Sequence, residues 1–386
     1  MIIGVLKENK VGESRVILTP TEVSELTMAG NKLLVQKDAG TLAGYSDADF
    51  VNAGAEMVDT MAQIYERSEM VTKVKEIFPE EYDLLRKDQI VFCCVHPAAH
   101  PEEVDALLAH KTISFSAEDT HRFGSPNCEV AGKLGALMGC YHLLSINGGS
   151  GKLFCGIAGC PGAKAIVIGA GIVGKACTEV LAGMGVQVTL MDINVGILRQ
   201  CDLLYPKNVQ TAISNQSNIK ALLPSTDIVY NCVKWPKESK THLITRDMLK
   251  LMRKGSVIVD ISADVGGAIE TYEETTHEHP THVVDGIIHY GVSNIPGAAP
   301  YTTSISYAAS IYPHLRAIAG LGIKEACRRD GFLRRSLTTY NGILTHPETS
   351  VIQNRPWETP ESILGLEGAE GLDVVPSATT TRAKKK

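Results

Sequence analysis

Residues 163–192 read AKAIVIGAGIVGKACTEVLAGMGVQVTLMD, and this stretch limits the fold more than any other. An apolar, β-branched run at 165–168 has the composition of a buried strand. Gly169, Ala170, Gly171, Ile172, Val173 and Gly174 follow at once. A helical pattern through Ala176, Val180, Leu181 and Met184 then runs to Gly185. A second strand at 186–191 ends on Asp192. In a chain with 35 glycines a bare GxGxxG says little, and a glycine-rich turn of some other α/β protein would look the same. The ordered succession of strand, turn, helix, strand and acid points to a dinucleotide-binding unit. Gly169 permits the tight turn, Gly171 lets backbone approach a pyrophosphate, and Gly174 lets helix pack on strand. The helix N-terminus offers N–H groups to the phosphates. Asp192, 18 residues past Gly174, can accept hydrogen bonds from an adenosine ribose. An acid there repels a 2′-phosphate, and Ile193 and Asn194 supply no cation to hold one, so the pattern favours NAD over NADP.

At 386 residues the chain is long enough for two domains, each with its own core. It is 44% hydrophobic and 21% charged, with a net charge of −6, which argues against a nucleic-acid partner. No apolar run approaches the roughly 18 residues of a membrane helix, so no membrane partner is expected. The opening MIIGVLKENK reads as a first strand and not as a signal peptide. Ten cysteines appear without CxxC or zinc-type Cys/His spacing, so no metal is expected. Several, including Cys140, Cys155, Cys177 and Cys232, lie in apolar runs. Buried, reduced thiols in a cytoplasmic protein fit this usage.

Along the chain, a strand at 2–6 is followed by Thr19, Pro20, Thr21 and Glu22. These form a helix start with an N-cap, a proline in the first turn and a capping-box acid, and Gly30 stops the helix. Strands at 32–36, 70–74, 90–95 and 112–116 alternate with short helices such as 101–110, the pattern of a parallel sheet with helical crossovers. Lys75 and His96 each fall just past one of these strands, where open α/β sheets bind ligands. Taken singly, a lysine is more often a solvated charge and a histidine a packing residue; His100, His110 and His121 are read that way. Residues 129–145 form a helical pattern whose apolar face holds Val130, Leu134, Leu137, Met138, Tyr141 and Leu144. Further strands read at 227–233, 256–261 and 282–285, and an apolar helix runs from Ser304 to Leu321. From about Glu348 the chain is polar, interrupted by Pro and Gly, and ends in lysines, so it reads as mostly disordered.

Several separated motifs, in order, now carry a resemblance. They are GVLKE with ESRVILTP at the start, KVKE at 73–76, the His96 segment, EVAG at 129–132 and the GAGIVG turn. VIVDISADVGG at 257–267, THEHPTHVVDGIIHY at 276–290 and SNIPGAAP at 293–300 complete the set. Over residues 1–346 the chain resembles the alanine dehydrogenase family, which is related to the NAD-binding subunit of transhydrogenase. The resemblance implies an α/β protein of two Rossmann-like domains with parallel sheets. A discontinuous substrate domain (1–128 and 300–346) would receive an inserted NAD-binding domain (129–299), with 347–386 as a tail. It implies NAD-dependent, reversible oxidative deamination of a small L-amino acid to its 2-oxo acid, with alanine and pyruvate the default pair. It also implies a homo-oligomer, commonly a hexamer. By position, Arg15 matches the carboxylate-binding arginine, Lys75 the lysine that contacts carboxylate and carbonyl, and His96 the acid/base. Asp264 matches the catalytic-loop aspartate, Asn294 the asparagine beside nicotinamide, Asp192 the ribose-binding acid and Ser214 a contact of the adenosine end. Cys128 and Val233 fall at cofactor-facing positions. The set is chemically coherent: a guanidinium and an ammonium suit a carboxylate, and imidazole exchanges protons near neutral pH. The competing, weaker readings are an ion pair at a helix entry for Arg15 and a strand-end turn carboxylate for Asp264.

Three positions depart from the family pattern. Cys94 replaces a tyrosine two residues before the histidine, Asn127 and Cys128 replace Met-Ser, and Val265 replaces a glutamine. Losing an aromatic and gaining an amide suggests a larger, more polar pocket and a bulkier or more polar substrate; compensated drift is the competing reading. An opine-type imine reductase and a transhydrogenase-like nucleotide-binding subunit are the alternative functions. Cys93 and Cys94, inside an apolar strand, are not expected to be nucleophiles.

Overall fold

The structure, a computed structural model, describes residues 1–366 apart from 123, 237, 238, 240 and 263–265. It falls into two compact units, Met1–Ser125 with the chain from Ala299 onward, and Pro126–Ala298. The strands, in chain order, are β1 (Ile2–Val5), β2 (Lys32–Gln36), β3 (Glu56–Val58), β4 (Met70–Thr72), β5 (Ile90–Cys93) and β6 (Ile113–Ser116). They continue with β7 (Lys164–Ile168), β8 (Gln187–Asp192), β9 (Val209–Ile213), β10 (Ile228–Asn231) and β11 (Val257–Asp260). Last come β12 (Thr281–Val284), β13 (Ile287–Tyr290), β14 (Leu337–Tyr340) and β15 (Ile343–Leu344).

Each unit is an α/β layer structure, as the alternation of apolar runs and helical patterns indicated. The first has the sheet order β15-β14-β6-β5-β4-β1-β2-β3, parallel from β6 to β3 and antiparallel at β14 and β15. The second has the order β12-β13-β11-β10-β7-β8-β9, parallel except for the β12–β13 pair. The central strands are apolar along their whole length because both sheet faces are covered. Ile3, Val5, Val91 and Phe92 are buried in one unit, and Ile166, Val167, Val229 and Val257 in the other. The adjacent Cys93 and Cys94 point to opposite faces and belong to different cores.

The Pro20–Met28 helix starts as read: Thr19 is extended, its N–H donates to Glu22 Oε2 at 3.1 Å, and Gly30 follows the last turn at φ +85°. The Pro126–His142 helix differs from its reading. Leu137 and Tyr141 are exposed, while Ala131, Gly132, Gly135, Ala136, Gly139 and Cys140 form the buried face. Close approach selects this face. A Cβ on Gly132 would lie 2.2 Å from Val173 O of the neighbouring Ile172–Gly183 helix, and one on Gly139 would lie 2.4 Å from Tyr230 Oη. A stripe of large side chains would hold these partners apart.

Two further expectations are corrected. Cys155 is exposed and Cys232 half-buried, although Cys140 and Cys177 are buried; Cys155 lies beside the small surface bridge of Ile157 and Cys160. From Glu348 to Leu366 the chain is structured, with helices at Pro347–Gln353 and Pro360–Leu364; residues 367–386 lie outside the described residues. The prolines that suggested interruption are first-turn helix residues, and Leu364 and Leu366 anchor the segment in the first unit's core. Arg334 Nε to Glu361 Oε1 (2.7 Å) and Gln353 Nε2 to Pro97 O (2.7 Å) fasten it further.

The glycine stripe makes a prediction. Gly132→Ala should destabilise the fold by about 1–3 kcal/mol, since backbone must move to admit the methyl. Gly183→Ala, whose Cβ would meet nothing within 4 Å, should be neutral or slightly stabilising. Urea unfolding of both variants measures this; equal midpoints would contradict the packing account.

Candidate functional site

In the second unit the turn between β7 and the Ile172–Gly183 helix has the shape a phosphate needs. Gly169 adopts φ +98°, and a Cβ there would meet Val233 Cγ2 at 2.9 Å. Gly174 tolerates no side chain, since its Cβ would sit 1.7 Å from Gly169 O. Gly171 is different: among the described residues a Cβ would meet nothing within 4 Å, so the backbone there faces room at the helix N-terminus. A packing glycine is crowded, whereas this one leaves room for a ligand, and the turn fits a dinucleotide phosphate. Asp192 ends β8 and braces the same turn: Ala170 N–H donates to its Oδ2 and Asn194 N–H to its Oδ1, both at 2.8 Å. Ser214 N–H donates to Asp192 O at 2.9 Å, so Ser214 follows β9 directly beside the acid. Val233 flanks the turn past β10, and Asn294 is buried, with its carbonyl oxygen 2.8 Å from His277 Nε2. Cys128 lies exposed on the first turn of the Pro126–His142 helix, next to Asn127, whose Oδ1 is buried. Asp264 and Val265 lie outside the described residues.

In the first unit, Arg15, Lys75 and His96 gather at the carboxyl ends of the parallel strands. Lys75 and His96 each lie three residues beyond the end of β4 and β5 respectively. Arg15 is buried and ion-paired: Nε donates to Glu13 Oε1 at 2.7 Å and Nη2 to Oε2 at 2.5 Å. Burial disfavours both charges, but the mutual hydrogen bonds outweigh it. They hold Glu13 down at about 2 and keep Arg15 firmly protonated. The helix-start ion pair weighed as the alternative for Arg15 therefore exists, and it fixes one edge of the guanidinium. Lys75 is lowered from its ordinary range by burial first, then by Arg15 and Lys10.

His96 sits at φ +45°, a left-handed conformation that costs a non-glycine residue about 1 kcal/mol or more. Its backbone N–H donates to Glu118 Oε1 at 2.6 Å, and its Nδ1 lies 3.3 Å from the same oxygen. The ring keeps 46% of its side-chain surface accessible. Lost solvation first, and then Lys75, hold the imidazole below its ordinary range and favour the neutral base. Glu118 is displaced upward, by burial first and by Asp119 second.

Three carboxylates that sequence reasoning missed hold these loops by their backbone. Glu8 accepts from Val74 N–H at 2.5 Å and Lys75 N–H at 3.3 Å, and burial raises it to about 7. Glu103 accepts from Ile77 N–H at 2.7 Å, and Glu118 holds His96. The one available signal was an acid within two residues of a strand end, visible at Lys7-Glu8 and Glu118 and too common to single out. His121, read as a packing residue, has its ring against Tyr307 at 5.7 Å between centroids. Cys94, where a larger pocket is expected, has its Sγ 3.0 Å from Tyr307 Oη, and both residues are buried. Burial pushes both the Cys93 and Cys94 thiols up, as inert core cysteines require.

Comparison with known proteins is consistent across the chain. Residues 4–126 match the family description "Alanine dehydrogenase/PNT, N-terminal domain", and residues 135–347 match "Alanine dehydrogenase/PNT, C-terminal domain". An alanine dehydrogenase of Methanococcus maripaludis is 35% identical over 94% of this chain and 100% of its own length. One of Bacillus subtilis is 38% identical over 90% of this chain and 93% of its own. A solved L-alanine dehydrogenase superposes with TM-score 0.86 at 35% identity, covering 92% of this chain and 99% of that one. A transhydrogenase from Sinorhizobium meliloti superposes with TM-score 0.76 at 22% identity, a likeness of fold alone.

The Glu13–Arg15 pair gives a signed pH prediction. Because the folded state holds Glu13 at about 2, below its ordinary 4.5, the pair stabilises fully above pH 4.5 and loses this as pH falls toward 2. Glu13→Ala should cost about 3–5 kcal/mol at pH 7, leaving a buried guanidinium alone, and its deficit should shrink as the pH drops below 4.5. Denaturant unfolding from pH 7 to 3 reads this directly; a deficit independent of pH would refute it.

Proposed function

The chain belongs to the alanine dehydrogenase/PNT family, and on that premise we propose that it catalyses reversible, NAD-dependent oxidative deamination of L-alanine to pyruvate and ammonia. The observation that carries this reading is the gathering, at one set of strand ends, of a charge-locked guanidinium, a lysine of lowered pKa and an accessible, neutral imidazole. These are the groups needed to hold a small carboxylate and move a proton beside it.

Arg15, oriented by Glu13, binds the substrate carboxylate, and Lys75 adds a second positive contact to carboxylate and carbonyl. Bound nicotinamide supplies the chemistry of accepting a hydride from the substrate Cα. The resulting iminium carbon is attacked by water, and His96, neutral at the outset, takes the proton from that water. The imidazolium returns the proton to the amino group, which leaves as ammonia while the imidazole, neutral again, takes the hydroxyl proton and the carbonyl forms. Asp264 stabilises the cationic iminium or shares in this transfer, and Asn294 contacts the nicotinamide end. Gly169, Ala170, Gly171, Ile172, Val173 and Gly174 cradle the pyrophosphate. Asp192 holds the adenosine ribose, and Ser214, Cys128 and Val233 line the remaining cofactor surface. Asp192 favours NAD through repulsion of a 2′-phosphate.

The ten cysteines are all free, which suits the reducing cytoplasm. Among the described residues no helix is long and apolar enough to cross a membrane. The exposed Leu137, Tyr141, Ile146, Leu153 and Ile157 of the second unit suit a homo-oligomer, for which a hexamer is the proposed form.

Three outcomes test the reading. His96→Ala should abolish alanine oxidation, by at least about a hundredfold, while NADH still binds by fluorescence titration; an unchanged rate removes the acid/base role. The acid limb of kcat/KM for deamination should lie below pH 6.5, because the lowered imidazole stays neutral to more acidic pH. NADH should bind on the order of a hundredfold tighter than NADPH, and Asp192→Ala should narrow that ratio.

A further inference from the structure

The contact between Cys94 and Tyr307 has a bearing on substrate choice. Tyr307 comes from the Pro300–Leu321 helix, far away in sequence, and its hydroxyl shares a 3.0 Å hydrogen bond with Cys94 Sγ. The helix is held in place on both sides of this contact. Three residues before Tyr307, Ser304 Oγ accepts from the N–H of Val16, the residue next to Arg15, at 3.0 Å. Three residues after it, Ser310 Oγ hydrogen-bonds His121 Nδ1 at 2.8 Å, and the His121 ring packs on the Tyr307 ring. Spacings of three put Ser304, Tyr307 and Ser310 on one helix face, so that face is registered against the Arg15 segment, the end of β5 and His121 together.

The pair also sits among the groups assigned to the substrate. The Cys94 thiol lies within electrostatic range of Arg15, Lys75 and Glu118, and Tyr307 within range of Arg15 and Glu118. Both side chains are buried, at 6% and 0% exposure, so neither can swing away without opening the core. A tyrosine side chain at position 94 carries a ring and a hydroxyl beyond the atom where Cys94 ends. In the Cys94 direction that ring would run into the Tyr307 hydroxyl, which is already in contact with Sγ. In that rotamer, aromatic side chains at 94 and 307 therefore compete for the same space.

We propose that Tyr307 is a specificity-determining aromatic of the substrate site: from the Pro300–Leu321 helix, fully buried behind Cys94, it backs the wall at position 94 and fills the volume that an aromatic there would take. With Cys94 it keeps the site small, in favour of an amino acid with a methyl-sized side chain. This rests on the deamination reading above, and the wall is tested separately from it. The wild-type enzyme, assayed by NADH absorbance on L-alanine, L-2-aminobutyrate, L-valine and L-serine, tests the reading itself. Turnover of none of them ends that reading and says nothing about a wall. The wall is read from the ratio of kcat/KM for L-alanine to that for L-2-aminobutyrate. Tyr307→Leu should lower this ratio by about tenfold or more, the worth of one methylene in an apolar pocket. Tyr307→Phe, which keeps the ring, should leave it within about threefold. Cys94→Tyr alone should lose amino-acid oxidation while still binding NADH, and Cys94→Tyr with Tyr307→Leu should recover oxidation together with the alanine preference. An unchanged ratio in Tyr307→Leu overturns the proposal. Should that variant fail to fold, Cys94→Tyr decides alone: full activity with unaltered selectivity overturns it.

Discussion

A guanidinium with 3% of its surface exposed survives only beside an anion, and Glu13 is that anion for Arg15. Desolvation would otherwise cost several kcal/mol, and truncating either partner would leave the other stranded. The charges around it depend on this pair. Lys75 is lowered partly because Arg15 is never neutral, and Glu8 is raised partly because Glu13 is always ionised. Burial remains the larger cause in both cases. The paired charges thus add to burial in shifting both neighbours.

The neighbouring carboxylates show how loops at strand ends gain precision without regular structure. Beyond β4 and β5 the ladder has ended, and backbone N–H groups need other acceptors. Glu8 serves Val74 and Lys75, Glu103 serves Ile77, and Glu118 serves His96. These hydrogen bonds tie the loops down where the ladder no longer does. Such acids must work while buried, which is why Glu8, Glu103 and Glu118 are all displaced upward. The left-handed backbone at His96 is one of the conformations this network sustains.

Features set by neighbours in the chain were legible in the sequence, and those set by distant contacts were not. The dinucleotide turn could be read because a strand, three glycines, a helix and an acid follow one another within 30 residues. The parallel strands could be read because burial on both faces leaves continuous apolar runs. The buried face of the Pro126–His142 helix was misread because hydrophobicity was counted where closeness decided: Gly132, Gly135 and Gly139 face the core, and the larger Leu137 and Tyr141 do not. The stretch from Glu348 to Leu366 differs from its reading because prolines at helix starts look like breaks. The relation of Cys94 to Tyr307 joins residues 213 positions apart, and a departure noticed at one could not announce its counterpart at the other.

The pairing of β14 with β6 has a consequence for synthesis. The Ser114–Thr339 contact spans 225 residues, so the first unit's sheet has an unfinished edge when its N-terminal part leaves the ribosome. At roughly 5–20 residues per second, that edge waits roughly 10–45 seconds for its partner. The second unit, continuous in sequence, can fold during that interval. The first must hold six strands together over the same period without the Pro300–Leu321 helix that completes its core. A nascent chain of this protein is thus at its most exposed between the synthesis of β6 and that of the Pro300–Leu321 helix, which is when a chaperone would have most to shield.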